Sequence, residues 1–231
     1  MSRMTFVDIF VEDNGHEEFM KSLVRRLSRD EGISVTVRVR SARGGHGRAV
    51  GEYRNYQRLM KKGLGGDEYP DLLIVVIDGN CTSANSMRRE ILDATEDEFE
   101  SRVVPACPDP YVERWYLSDP ESFGRVIGRT PVVASEKCDH QYYKQVLSQT
   151  IREAGQIVTL GGIEFAPELV EAMDFYRAGQ NSASLRTLVS ELRARFRSAA
   201  RVEDGEQLGL GLVPNAGDPA FSRDCSPPGG S

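Results

Sequence analysis

The residues best placed to do chemistry are acids that follow apolar runs. Glu12 and Asp13 come directly after residues 5–11, Thr-Phe-Val-Asp-Ile-Phe-Val, and Asp78 comes directly after residues 72–77, Leu-Leu-Ile-Val-Val-Ile. Both runs read as strands, and neighbouring parallel strands lie about 4.8 Å apart, so acids at their ends can share one cation. A hard dication such as Mg²⁺ (or Mn²⁺) takes oxygen ligands and keeps several waters, so two carboxylates suffice. Asn80 offers an amide oxygen in the same turn as Asp78. Glu113 lies in Pro108-Asp109-Pro110-Tyr111-Val112-Glu113-Arg114-Trp115. Two prolines around an Asp make a rigid turn, which puts Glu113 in the first turn of a helix near the same sheet end. Acids at such positions also cap helices and favour turns, and Glu113 suits a structural ion pair with a nearby Arg equally well.

A second group is basic. Arg38, Arg40, Arg43, Arg48, Arg54, Arg58, Lys61 and Lys62 crowd one segment in which Glu52 is the only acid. The net charge of −6 argues against non-specific coating of nucleic acid, but a local basic face can still bind phosphates. Arg43, His46, Arg48, Arg54 and Arg58 are the candidate nucleic-acid contacts, and a solvated helix face is the alternative. Gly44-Gly45-His46-Gly47 permits close backbone approach to a phosphate, yet lacks the Lys-Ser/Thr ending of a P-loop. Lys137 and Lys144 fall near a predicted strand end and suit either a phosphate or solvent. His16 is expected to face solvent in a first helical turn, His140 to open a helix and Trp115 to pack.

The elements that must hold these residues alternate. A strand over 5–11 precedes a helix carrying Phe19, Met20, Leu23, Val24 and Leu27 at helical spacing. Residues 33–39 alternate as a half-buried strand, 41–51 form a Gly- and Arg-rich loop, and 50–62 form the basic helix. Residues 72–77 lack polar alternation, as a central strand covered on both faces would. A helix around Met87, Ile91 and Leu92 leads to a short strand over 102–107. Helices follow over 112–117 and 121–127, then around Tyr143 and Leu147, and over 169–176 and 185–196. The pattern is α/β: a mostly parallel central sheet flanked by helices, with a helical C-terminal half. Residues 1–204 form one domain, and 205–231, rich in Gly, Pro, Ser and Asp, form a flexible tail.

No apolar run reaches the roughly 18–20 residues that span a bilayer, and no signal-peptide pattern opens the chain, so a cytoplasmic location without membrane contact is expected. Cys81, Cys107, Cys138 and Cys225 lack zinc-ligand spacing and are expected to be free thiols.

Val11-Glu12-Asp13 ahead of Glu17-Glu18-Phe19, with the apolar strand ending in Asp78-Gly79-Asn80, resembles the TOPRIM fold of topoisomerases, primases and OLD-type nucleases. That resemblance implies Mg²⁺ held by Glu12 and Asp78. Asn80 departs from it, standing where a second Asp belongs and bringing no charge, and Asp13 stands where Gly commonly follows. The stretch 108–115, with Gly161-Gly162-Ile163-Glu164-Phe165-Ala166, looks like a bacterial family of TOPRIM-like proteins encoded beside ATPases in defence islands. It implies one of two functions. The first is a metal-dependent nuclease of an anti-phage system acting with an ATPase partner, with Glu12, Asp78 and Glu113 catalytic. The second is a non-catalytic sensor or scaffold that binds the ATPase.

Overall fold

The computed structural model describes residues 5–42, 46–63, 69–80, 82–134 and 138–209. In chain order these form β1 (Thr5–Val11), α1 (Asn14–Asp30), β2 (Val35–Ser41), α2 (His46–Lys61), β3 (Leu72–Val76), α3 (Ala84–Asp93), α4 (Asp97–Glu100) and β4 (Val103–Ala106). Helices α5 (Val112–Tyr116), α6 (Pro120–Ile127) and α7 (His140–Glu153) follow, then a 3₁₀ turn (Ile163–Phe165), α8 (Ala166–Ala172), α9 (Phe175–Asn181) and α10 (Ala183–Gly209).

The strands form one sheet in the order β2-β1-β3-β4, and every pairing is parallel. Side chains alternate between faces with the strand period of two. Val7, Ile9 and Val11 of β1 join Ile74 and Val76 of β3 under Phe19, Leu23 and Leu27 of α1 and Leu192 of α10. Phe10, Leu73 and Val75 point to the other face, against Tyr53 and Tyr56 of α2 and Met87 and Ile91 of α3. Both faces of β3 are therefore covered, and all five of its residues are buried. That is the physical reason for its unbroken apolar run. At the sheet's edge, β2 is only half buried, which matches its alternating pattern.

Among the described residues, one acid lies within a strand. Asp8 is fully buried on the α2 face, where Arg38 from its register partner position on β2 and the Tyr56 hydroxyl both donate to it. A buried carboxylate needs such partners, and this one ties β1, β2 and α2 together.

The chain leaves β1 toward β2 on one side and returns across the sheet to β3 on the other. The carboxyl ends of β1 and β3 therefore flank the topological switch point, the usual ligand crevice of open parallel sheets.

Several expected boundaries move. Strand β2 runs two residues later than 33–39, at Val35–Ser41. Helix α2 starts at His46 instead of residue 50, so the Gly- and Arg-rich loop is shorter than 41–51. The single helix expected over 169–176 is two, α8 and α9, broken where the Asp174 side chain accepts from Tyr176 and Arg177 N–H to cap a new helix. Residues 205–209, expected in the tail, continue α10, and the rest of that segment, 210–231, lies outside the described residues. Among the described residues, no helix is long and apolar enough to cross a membrane.

The thiol expectation holds at one position and fails at another. Cys107 is free and buried, with its pKa pushed up to about 12 by burial, so it stays an inert thiol. Cys138 is disulfide-bonded, a pairing that spacing along the chain does not reveal. Cys81 and Cys225 lie outside the described residues.

Candidate functional site

Asp13 is the N-cap of α1, where its Oδ1 accepts from the N–H groups of Gly15 at 2.8 Å and His16 at 3.1 Å. This capping is local chemistry, legible as an Asp between a strand and a helical stripe. Its consequence is not local. The cap orients the first turn so that His16, three residues on, turns inward. His16 is fully buried, its Nδ1 lies 2.7 Å from Asp13 Oδ1, and its Nε2 lies 2.9 Å from Asp78 Oδ1 at the end of β3. The expectation that His16 faces solvent is therefore overturned. Register explains why: β1 and β3 pair so that Val11 stands beside Val76, which brings the two chain segments beyond them to one spot.

Glu12 joins this spot. Ligand-capable atoms of Glu12, His16 and Asp78 all lie within 4.8 Å of one another. Burial by itself would lower the His16 pKa, but the Asp78 and Asp13 carboxylates outweigh it and hold the pKa well above the usual imidazole value. Burial would raise the Asp13 pKa, and the hydrogen bond and charge of His16 instead pull it well below the usual carboxylate range.

Glu113 comes from the first turn of α5, as its position after the Pro-Asp-Pro turn predicts. The Asp109–Pro110 peptide in that turn is cis. Glu113 is 4 % exposed, its Oε2 has no hydrogen-bond partner, and its nearest cation is Lys144 of α7, 3.6 Å from Oε1. In place of an arginine pair, Glu113 thus has a loose contact with a half-exposed lysine. Burial raises the Glu113 pKa, the charge of Asp78 adds to this, and Lys144 opposes it.

Glu12, Asp13 and Glu113 line one cleft of about 390 Å³ together with Ser41 and Lys144, and Gly161 and Ile163 form part of its wall. That wall explains a motif that carried no chemistry in the sequence. Glu164 Oε1 accepts from the N–H groups of Thr159 at 2.6 Å and Leu160 at 3.2 Å, and its Oε2 accepts from that of Gly162 at 2.8 Å. Gly162 itself has a φ of 99°, and a Cβ there would stand 2.6 Å from Ile151 Cδ1. One glycine and one carboxylate thus fold this loop against α7 and hold it at the cleft.

The other candidates are placed as follows. Asn80 follows Asp78 at a φ of 43°, with its N–H donated to the Pro110 carbonyl. Its neighbour Gly79 passes so close to the Pro108 carbonyl that a Cβ would lie 3.0 Å away. Arg48, Arg54 and Arg58 are exposed on α2. His46 is the first residue of that helix, and Arg43 lies outside the described residues. Part of the basic segment is neutralised, because Arg38 pairs with Asp8 and Lys61 with Glu96 and Glu98. Trp115 packs as expected, fully buried with Nε1 donating to Ser184.

Fold and site together define an α/β protein with an acid–histidine cluster at the carboxyl edge of an all-parallel sheet. The chain belongs to the DUF4276 family, described as a domain of unknown function, whose family model matches residues 11–193 and so spans every group in the cleft. No curated protein and no solved structure matches this chain.

Proposed function

We propose that this protein is a divalent-cation-dependent phosphodiester hydrolase that acts on nucleic acid. The observation that carries the reading is the convergence of Glu12 and Asp78, from two separate strand ends, at the switch point of the sheet. The donor set suits a cation: two carboxylates meet there, and the buried, unpartnered Glu113 Oε2 lines the same cleft as Glu12. Glu12 and Asp78 hold Mg²⁺ or Mn²⁺ on this reading, and Asn80 adds its amide oxygen. A bound dication supplies charge stabilisation at the scissile phosphate and a more acidic water. Glu113 keeps its proton to higher pH than an exposed carboxyl and delivers it to the leaving oxygen. Lys144 meets a phosphate oxygen at the cleft mouth, while Arg43, His46, Arg48, Arg54 and Arg58 steer the nucleic-acid backbone. The resemblance to TOPRIM proteins, with acids after the first and a later strand, supports the same assignment. It also adds the ATPase partner and the defence role to the proposal.

A second reading is favoured by His16. A buried imidazolium between Asp13 and Asp78 satisfies both carboxylates without any metal, as a non-catalytic module that binds a partner ATPase would allow. Incubating labelled single- and double-stranded DNA and RNA with Mg²⁺ or Mn²⁺ separates the two. The hydrolase reading expects cleavage by the wild-type protein and a loss of at least about 100-fold in Glu12→Gln. Absence of cleavage in every combination, together with no calorimetric heat on Mn²⁺ addition, selects the non-catalytic module.

A further inference from the structure

The geometry around His16 is that of a metal ligand with its supporting carboxylate in place. Ligating histidines almost always donate their second ring N–H to a carboxylate, a backbone carbonyl or water, which fixes the tautomer. Here Asp13 Oδ1 accepts at Nδ1 and is itself fixed by two backbone N–H groups at the α1 N-terminus. With Nδ1 committed to Asp13, Nε2, on the side of Asp78, is the nitrogen left to bind a cation once it gives up its proton. Two ligands about 2.1 Å from one cation stand about 3.4 Å apart at the tetrahedral angle usual for zinc and about 3.0 Å apart at the right angle of an octahedral shell. The observed separation of Nε2 from Asp78 Oδ1 is 2.9 Å, and Glu12 supplies a third donor atom within 4.8 Å of both.

An independent mark comes from α5. Glu113 is more than nine-tenths buried, has an oxygen without a hydrogen-bond partner, and lines the cleft beside Glu12 and Asp13. A carboxylate oxygen removed from water needs a proton or a cation nearby.

Resting on the reading of Glu12 and Asp78 as cation ligands, we propose that His16 Nε2 completes the set and that the site selects a transition-metal dication such as Zn²⁺ over Mg²⁺. Imidazole nitrogen favours such metals, whereas Mg²⁺ prefers an all-oxygen shell. Coordination uses the Nε2 lone pair, so the proton shared with Asp78 leaves to solvent as the metal–nitrogen bond forms, and no electron transfer is involved.

The test is calorimetric titration of the full-length, chelator-stripped protein with Zn²⁺, Mn²⁺ and Mg²⁺ in wild type, His16→Gln and Glu12→Gln. The expected result is Zn²⁺ binding at least about 10-fold tighter than Mg²⁺ in wild type, with that preference lost in His16→Gln and weak Mg²⁺ binding kept. Unchanged Zn²⁺ affinity in His16→Gln overturns the role of His16. If Glu12→Gln still abolishes binding in that series, the hydrolase reading survives the failure. No heat in wild type with any cation overturns both.

Because His16 is buried, a second measurement guards against a variant that does not fold. The chain has three histidines, so His46→Gln/His140→Gln leaves His16 as the only one. With ¹⁵N-histidine in that protein, saturating Zn²⁺ should shift the Nε2 resonance strongly and leave Nδ1 nearly in place. An unmoved Nε2 signal overturns the proposal.

Discussion

Glu113 shows how one residue can work against the fold it sits in. Its carboxyl is buried, has one oxygen without a partner, and is compensated by a backbone N–H, a lysine 3.6 Å away and the charge of His16. Burial raises its folded pKa above the unfolded value. An acid with a raised pKa favours folding below its unfolded pKa of about 4.3, and that contribution is lost as pH rises through the folded pKa. Glu113→Gln, nearly isosteric, is therefore expected to melt higher than wild type at pH 8, with the gap closing by pH 4. Scanning calorimetry at the two values checks this. A Tm below wild type at pH 8 would mean that the charge is compensated and the catalytic assignment unsupported. Strained or unsatisfied groups of this kind concentrate at functional sites, and Glu113 was legible from its place after the Pro-Asp-Pro turn. His16 was not. The one available sign was its position three residues after the Asp13 cap, where a capping box carries a side chain that reaches back. Nothing local points to Asp78, 62 residues away.

At the scale of elements, Asp119 joins the helices behind the site. It caps α6, accepts the Asp174 N–H at 2.8 Å, and takes the Arg177 guanidinium at 3.0 and 3.1 Å. It thereby fastens α6 to the start of α9. Burial would raise its pKa, but Arg177 and the Ser122 and Asp174 donors win and bring it down to about 2. A carboxyl with a depressed folded pKa contributes stability above its unfolded pKa, about 3.9, and loses it as pH falls through the folded value. Asp119→Asn is expected to cost about 2 kcal/mol at pH 7, and the difference from wild type should shrink below pH 4 and vanish near pH 2. Urea unfolding across that range measures it, and a pH-independent difference would assign the loss to capping geometry instead. The break between α8 and α9 that Asp174 creates was invisible to hydrophobic periodicity, because Leu169, Val170, Met173 and Tyr176 keep helical spacing across it. The cap won locally over the stripe.

For the whole molecule, the question is how an acidic chain meets a polyanion. The net charge is −6, yet Arg48, Arg54 and Arg58 stand exposed along α2. If these contact phosphates, Arg54→Glu/Arg58→Glu should weaken nucleic-acid binding at low salt. It should also flatten the slope of log K against log salt by about one unit for each phosphate no longer neutralised, since fewer counterions are released. Fluorescence anisotropy between roughly 50 and 200 mM salt reads this. Equal slopes would reduce the stripe to a solvated face, its charge as idle toward phosphate as that of Lys61 and Arg38, which acidic partners already neutralise.

Several things were determined by sequence alone, because their causes are local and periodic. The alternation of strands and helices, the doubly covered β3, the helical second half, the Asp13 cap and the acids at two strand ends all follow from spacing a few residues long. Tertiary structure decided what those acids meet. The order β2-β1-β3-β4 sets the ends of β1 and β3 side by side, so that Glu12, His16 and Asp78 converge. It also turned Asp8 into a buried strut and brought Lys144 and the Glu164-held loop to the cleft. These contacts join residues tens of positions apart. Their formation depends on strand order and register, which the hydrophobic core selects as a whole and no single segment encodes.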